Sequence, residues 1–135
     1  MKRRSALAWL GAMALGTVAR PAAAGTYLEA AGLLVGANRR DAEALRKRPT
    51  DKDLAKVIHT VASARSTAAA DMVVPEKVAK AHPHLLLTLA KIERAALAAR
   101  EGNVKVLLEQ LDAARTEETL FRSVLKELGF SLGDA

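Results

Sequence analysis

The sequence predicts an all-α protein, an up-down-up-down four-helix bundle that follows a cleaved N-terminal signal segment. The chain has 135 residues, the size of one domain, and half of them are hydrophobic while only 3% are aromatic. Apolar residues recur at alternating spacings of three and four, the period of an amphipathic helix. Pro49, Pro75 and Gly102 interrupt this pattern, so that four helical stretches remain. Short connections between them favour antiparallel neighbours.

Residues 1–24 have the three parts of an export signal: a basic start, an apolar stretch, and small residues at the end. The predicted cleavage site consists of Ala22, Ala24 and Gly25, of which the two alanines fit the A-x-A pattern. The apolar stretch is shorter than the roughly 20 residues that span a bilayer. We therefore expect a periplasmic or extracellular protein with no stable membrane span after cleavage. A retained N-terminal anchor is the alternative.

Arg3 and Arg4 stand before Ser5, Ala6 and Leu7, and this short run resembles a twin-arginine export signal. Such a signal implies that the chain folds before it crosses the membrane. Ala6 departs from the usual bulky apolar residue. An ordinary secretory signal that happens to contain two arginines explains the run equally well, so both export routes stay open.

The basic charge of the whole chain comes mostly from the signal segment. Four of the 21 basic residues lie in the first 24, which contain no acid, so 17 basic and 15 acidic residues follow. A nearly balanced chain with few aromatic residues does not predict nucleic-acid binding. The absence of cysteine from the sequence excludes disulfides and thiolate metal sites. We predict no cofactor.

The first two helices have recognisable starts. Thr26 and Glu29 form a capping box for the first helix, which ends before Pro49, and Thr50 with Asp53 suggests a cap for the second. The predicted buried positions of helix 1 are Leu28, Ala31, Val35, Ala42 and Leu45. Those of helix 2 are Leu54, Ile58, Val61, Ala68 and Met72.

Helix 3 is predicted to begin at Pro75, and Pro83 should kink it or divide it. Gly102 ends it, Asn103 caps helix 4, and Gly129 ends helix 4 with an apolar residue folded back. The predicted buried positions of helix 3 are Val78, Leu85, Leu89, Ile92, Ala96 and Ala99. Those of helix 4 are Val104, Leu107, Leu111, Ala114, Phe121, Leu125 and Leu128.

Each apolar stripe is interrupted by one polar residue: Asn38, Arg65, His82 and Glu118. With tight turns between the helices, all four are predicted to lie within about one turn of a common layer. This buried polar layer is a candidate site for a small ligand or a coupled proton. Two structural explanations are a buried ion pair that fixes helix register and a long side chain that reaches solvent.

Two further features have alternative interpretations. His82 and His84 flank a proline and form a weaker candidate metal site, whose alternative is a solvated helix bend. The cluster Arg39–Arg40 and Arg46–Arg48 makes the end of helix 1 basic, which the helix dipole explains. Contact with anionic lipid, polysaccharide or nucleic acid is the functional alternative.

A second apolar strip lies beside the main stripes: Leu33, Leu34, Leu86, Leu87, Val106, Leu108, Leu120 and Val124. It either widens the buried face or forms an exposed patch for a partner or a second copy. No catalytic motif stands out. We therefore predict an exported, non-enzymatic protein with an interaction or structural role in the cell envelope, whose partner is an envelope protein or a second copy. The alternative is a bundle that binds a small ligand or a metal through its polar layer.

Overall fold

The computed structural model describes residues 24–133 and confirms an all-α four-helix bundle. Its elements are α1 (Ala24–Lys47), α2 (Lys52–Ala70), a short 3₁₀ helix (Glu76–Val78), α3 (His82–Arg100) and α4 (Val104–Glu127). Within the described range, none of the helices combines the length and the apolar character that crossing a membrane requires. Of the predicted signal segment only Ala24 lies in this range, so its cleavage after Ala24 stays a prediction.

Side-chain contacts give the directions of the helices. Tyr27 contacts His82, and further along both helices Asn38 contacts Thr88, so α1 and α3 run parallel. Helices α2 and α3 are antiparallel, because Ser63 contacts Glu93 whereas His59, earlier in α2, contacts Arg100, later in α3. Helix α4 follows α3 after a short connection, and His84 at the start of α3 contacts Glu117 in the second half of α4, so these two helices are also antiparallel. The bundle therefore has the predicted up-down-up-down topology.

Two of the predicted helix starts are wrong by a residue or two. Asp51, not Thr50, caps α2, and its Oδ1 accepts a hydrogen bond from the Leu54 backbone N–H at 2.9 Å. Thr26 is not the start of α1, because Ala24 and the residue after it are already helical. At α2 the error lies between two neighbouring polar residues, Thr50 and Asp51, and the sequence alone does not select one of them as the cap.

The predicted boundary between α3 and α4 is confirmed. Gly102 has a φ of +79°, the left-handed conformation that glycine adopts without strain at the end of a helix. Asn103 then caps α4, and its Oδ1 accepts from the Val106 N–H at 3.1 Å. At the other end of α4, the Phe130 N–H donates to the Leu125 carbonyl at 2.8 Å after Gly129, as the sequence predicted.

The predicted start of helix 3 at Pro75 is wrong, whereas the expected division of this stretch near Pro83 is confirmed. The chain from Pro75 forms only a 3₁₀ turn, and α3 begins at His82 with Pro83 in its first turn. Proline is favoured there because a first-turn residue needs no N–H group for a helical hydrogen bond. The connection between α2 and α3 is therefore longer than predicted, and this changes which residues of the two helices lie at the same level.

The buried apolar residues form two clusters, one in each half of the bundle. The alanine cluster is Leu45, Ala55, Ile58, Ala62, Ile92, Ala95, Ala96, Ala98, Ala99, Leu107, Leu111 and Ala114. The aromatic cluster is Tyr27, Ala31, Val35, Ala69, Val78, Ala81, Leu85, Leu89, Phe121, Leu125 and Leu132. The predicted stripe of α2 is wrong by one position, because Ala62 is buried whereas Val61 is 43% exposed.

The second apolar strip is divided. Its exposed members are Leu33, Leu87, Leu108 and Leu120. Its half-buried members, which pack against the two clusters, are Leu34, Leu86, Val106 and Val124. The strip therefore widens the core at some positions and stays on the surface at others.

The central helix of the bundle is α3, which packs most extensively against α4 and α2. Helix α1 packs against α3 and α2. Its contact with α4 is less extensive than that of any other helix pair with substantial contact. A gap between α1 and α4 follows from this arrangement.

Candidate functional site

The structure brings two of the four predicted polar residues together. Asn38 is 3% exposed, and its Nδ2 donates to the Thr88 backbone carbonyl at 3.2 Å. Arg65 approaches the Asn38 Oδ1 at 3.5 Å and forms an ion pair with Asp41 at 2.5 Å. These contacts link α1 to both α2 and α3 through buried or half-buried polar groups.

His82 lies away from this cluster, so the single predicted layer of four residues is wrong. Glu118 has no contact with the cluster within the described residues, but it lies at the predicted level, because it binds Arg39, the residue that follows Asn38. The pair Ser63–Glu93 places Arg65 level with the middle of α3, whereas His82 stands at the first residue of that helix. The reason is the longer connection between α2 and α3. Any ligand-binding role of these four residues stays a prediction.

His82 forms a separate hydrogen-bonded group in the aromatic half of the bundle. Its Nε2 lies 3.1 Å from the Ala69 carbonyl, and its Nδ1 lies 2.8 Å from the Tyr27 hydroxyl. A neutral imidazole satisfies both contacts when Nε2–H donates to the carbonyl and Nδ1 accepts from the hydroxyl. Burial lowers the pKa of His82, an effect that the Ala69 hydrogen bond opposes, and burial raises the pKa of Tyr27 to about 12.

The two histidines of the candidate metal site, His82 and His84, have different hydrogen-bond partners. His84 Nδ1 lies 3.2 Å from Glu117 Oε1 on α4, while both ring nitrogens of His82 have the partners just described. Within residues 24–133, no group of three or more His, Cys, Asp or Glu side chains is arranged to hold a metal ion. The described residues therefore give the metal alternative no support.

Glu118 lies between α1 and α4, where two arginines bind its carboxylate. Arg39 donates to it from both Nε and Nη2, and Arg122, one turn along α4, donates from Nε at 3.0 Å. The Glu118 side chain is only 12% exposed. The carboxylate is thus largely withdrawn from solvent and neutralised by two guanidinium groups.

A cavity of about 390 Å³, which we call the α1/α4 groove, lies beside this ion pair. Its uncharged floor consists of Asn38, Ala42, Ile92, Leu111 and Ala114. Charged and polar residues line its sides: Arg39, Glu43, Arg46, Arg115, Glu118, Thr119 and Arg122. A second cavity of about 290 Å³ shares Arg39 and Arg122 and adds Arg40 and three glycines.

The arginines of the α1/α4 groove differ in their partners. Arg39 and Arg122 bind Glu118. Arg46 and Arg115, which line the same groove from opposite helices, form no ion pair with any residue in the range 24–133. The groove therefore combines an apolar floor with two guanidinium groups that have no carboxylate partner within the described chain.

Our reasoning from the sequence missed this groove, although a signal was present. Each of the two helices carries a pair of arginines seven residues apart that directly follow residues of the buried stripe. The pairs are Arg39 and Arg46 on α1, and Arg115 and Arg122 on α4. A spacing of seven keeps both members on one side of a helix, at the edge of its buried face. The helix dipole does not account for this pattern in the middle of α4.

Comparison with protein-family models, with curated proteins and with solved structures finds no match to this chain.

Proposed function

We propose that this chain is an exported, non-enzymatic binding protein of the cell envelope, and that the α1/α4 groove is its binding surface for an anionic group. The observation that carries the proposal is the pair Arg46 and Arg115, two arginines on opposite sides of one groove without a carboxylate partner in the range 24–133. Guanidinium groups bind carboxylates and phosphates through paired N–H donors. A largely pre-formed cleft is the usual form of a ligand site.

The groove is a better candidate than the polar cluster around Asn38. The amide of Asn38 already contacts Thr88 and Arg65, and Arg65 already binds Asp41. Such mutually bonded groups have little capacity left for a ligand, and they suit the alternative role of fixing helix register. The small-ligand alternative thus moves from the polar layer to the groove.

Export remains part of the proposal because of the order of basic, apolar and small residues in 1–24. We expect the chain, expressed with its own signal, to be recovered outside the cytoplasm with a mass that begins at Gly25. Replacing Arg3 and Arg4 with lysines distinguishes the routes, because only twin-arginine export requires the arginine pair. Recovery of the uncleaved chain in the membrane fraction would contradict cleavage and support a retained anchor.

The partner is proposed to be anionic, and either another envelope component or a second copy presenting Asp or Glu side chains. Native mass spectrometry of the exported fraction reports both possibilities. A monomer with an added mass supports a small ligand, and a dimer supports self-association.

Anion binding is tested by thermal unfolding of the chain from Gly25 onward in inorganic phosphate, against sodium chloride of equal ionic strength. A ligand that binds only the folded state raises the Tm. We expect this shift in the wild type and its loss in the double variant Arg46→Gln, Arg115→Gln. Arg94→Gln is the matched control, because Arg94 is exposed on α3 and does not line the groove. An equal shift in all three proteins would contradict the proposal.

A further inference from the structure

We infer that the ligand of the α1/α4 groove is a single-chain amphiphile, an anionic head group attached to an alkyl chain. The inference rests on the proposed function and specifies its ligand. The head would lie between Arg46 and Arg115, and the alkyl chain would lie along the floor of the groove.

The floor supplies the apolar half of this recognition. Ala42, Ile92, Leu111 and Ala114 line the groove, and no aromatic side chain from residues 24–133 does so. A site for a nucleotide base or a sugar ring usually presents an aromatic face on which the ring stacks. Aliphatic side chains along a narrow channel suit a flexible alkyl chain instead, which gains from leaving water without any need for a flat partner.

The charges around the groove limit the head group. Arg39 and Arg122 already neutralise Glu118, and Glu43 contacts Lys47 at 3.7 Å. The groove lining has four arginines against two glutamates, an excess of two positive charges. This balance suits one carboxylate, sulfate or phosphate, whereas a polyanion would place further negative charge beside Glu43 and Glu118.

The dimensions agree with a chain of moderate length. Arg39 and Arg46 lie seven residues apart on α1, so the groove between them extends about 10 Å along the helix. The Arg39–Glu118–Arg122 contacts connect α1 to α4 at one end and mark where the alkyl chain must stop. We therefore expect affinity to rise with chain length and then to reach a plateau.

The test is isothermal titration of the chain from Gly25 onward with inorganic phosphate, butyl phosphate and octyl phosphate, each below its micelle concentration. Octanoate is added to distinguish a carboxylate head from a phosphate head, and octanol serves as the probe without charge. We expect the Kd to fall from phosphate to the octyl ester by roughly two- to fourfold for each methylene that is buried. Octanol should bind far more weakly than either octyl anion.

Two sets of variants separate the halves of the site. Ala42→Leu narrows the floor and should keep phosphate binding while it removes the gain from the alkyl chain. The double variant Arg46→Gln, Arg115→Gln should weaken all the anions, and it keeps the test informative if the leucine variant does not fold. Arg94→Gln is again the control and should bind as the wild type does.

The outcomes distinguish this inference from the proposed function. If phosphate binds at the arginines but chain length has no effect, the ligand is not an amphiphile and the proposed function stands. If neither phosphate nor any alkyl anion binds, both proposals are wrong. If octyl phosphate binds equally well to the wild type, to Ala42→Leu and to the double arginine variant, it binds elsewhere and the inference is overturned.

Discussion

The two halves of the core are built from different side chains, although the same four helices run through both. Seven of the twelve members of the alanine cluster are alanines, whereas the aromatic cluster contains Tyr27, Phe121 and four leucines. Large side chains fill the space between helices that stand far apart, and alanines fill it only where helices approach closely. Helix α3 has close neighbours in α2 and α4, while α1 has little contact with α4.

The α1/α4 groove lies where the alanine half leaves this gap. Its floor residues Ile92, Leu111 and Ala114 are members of the alanine cluster, and Ala42 packs against it. In the other half, Phe121 and Tyr27 are buried in the core and a hydrogen bond joins Tyr27 to His82, while the smaller second cavity lies beside Val35. We therefore expect the aromatic half to contribute more to stability and the alanine half to carry the proposed binding surface.

The largest loss of stability should come from truncating a large side chain in the aromatic half. We expect Phe121→Ala to lower the free energy of unfolding by about 3–5 kcal/mol, because Phe121 is fully buried and its neighbours cannot close the cavity. Urea unfolding followed by far-UV circular dichroism measures this change. A loss no larger than that of Leu111→Ala would contradict the proposed division between the halves.

Truncating a large side chain in the alanine half should lower the free energy of unfolding by less. Leu111→Ala removes a side chain that is 1% exposed, but the groove beside it lets water enter and α1 adjust. We expect a loss of about 2 kcal/mol, the low end for such a truncation. Leu107→Ala is the control, because Leu107 is also buried on α4 but does not line the groove, and it should cost more.

A smaller loss of stability is expected when Asn38, which links α1 to α2 and α3 through polar contacts, is replaced. Asn38→Ala removes the hydrogen bond to the Thr88 carbonyl and the amide oxygen that faces Arg65, which should cost about 1–2 kcal/mol. The same unfolding experiment measures it. The Arg65–Asp41 ion pair stays intact in this variant, so adding Arg65→Met tests whether the two contacts act together, since coupled contacts do not give additive losses.

The smallest expected effect is a dependence of stability on pH that arises from His82 in the aromatic half. The pKa of His82 is lower in the folded chain than its ordinary value of 6.5. The unfolded chain therefore binds the proton more tightly, and stability should fall as the pH drops below about 6.5, until the folded-state pKa is reached. Urea unfolding at pH 7 and pH 5 should show a smaller difference in His82→Gln than in the wild type, and an unchanged difference would assign the dependence to other groups.

Much of the fold could be predicted because helix formation is local. The stripe positions Leu107, Leu111, Phe121 and Leu125 are all buried as predicted, and the caps around Gly102 use the residues that the sequence indicated. Errors arose where two neighbouring residues have similar chemistry. Val61 is more hydrophobic than Ala62, yet the smaller residue is buried because it permits closer packing of α2.

The candidate site was less predictable because it depends on how separate helices meet. Asn38 and Arg65 were correctly expected to lie near each other, since a short connection joins α1 to α2. The expected position of His82 failed because the segment between α2 and α3 does not continue as helix. Arg46 was noted only as part of the basic end of helix 1, and Arg115 was missed, because nothing in either helix alone indicates that the other lies across a groove.

The sequence by itself therefore determined the helices, because periodicity, caps and breakers act within a few residues through backbone hydrogen bonds. Only the tertiary structure decided which residues share a level, because a change in one connection shifts every contact that follows it. It also decided that α1 packs over α3 and α2 and leaves α4 partly uncovered. The groove lies in the gap that this arrangement leaves, because alanines of the core let α3 pack closely against α2 and α4 while α1 has little contact with α4.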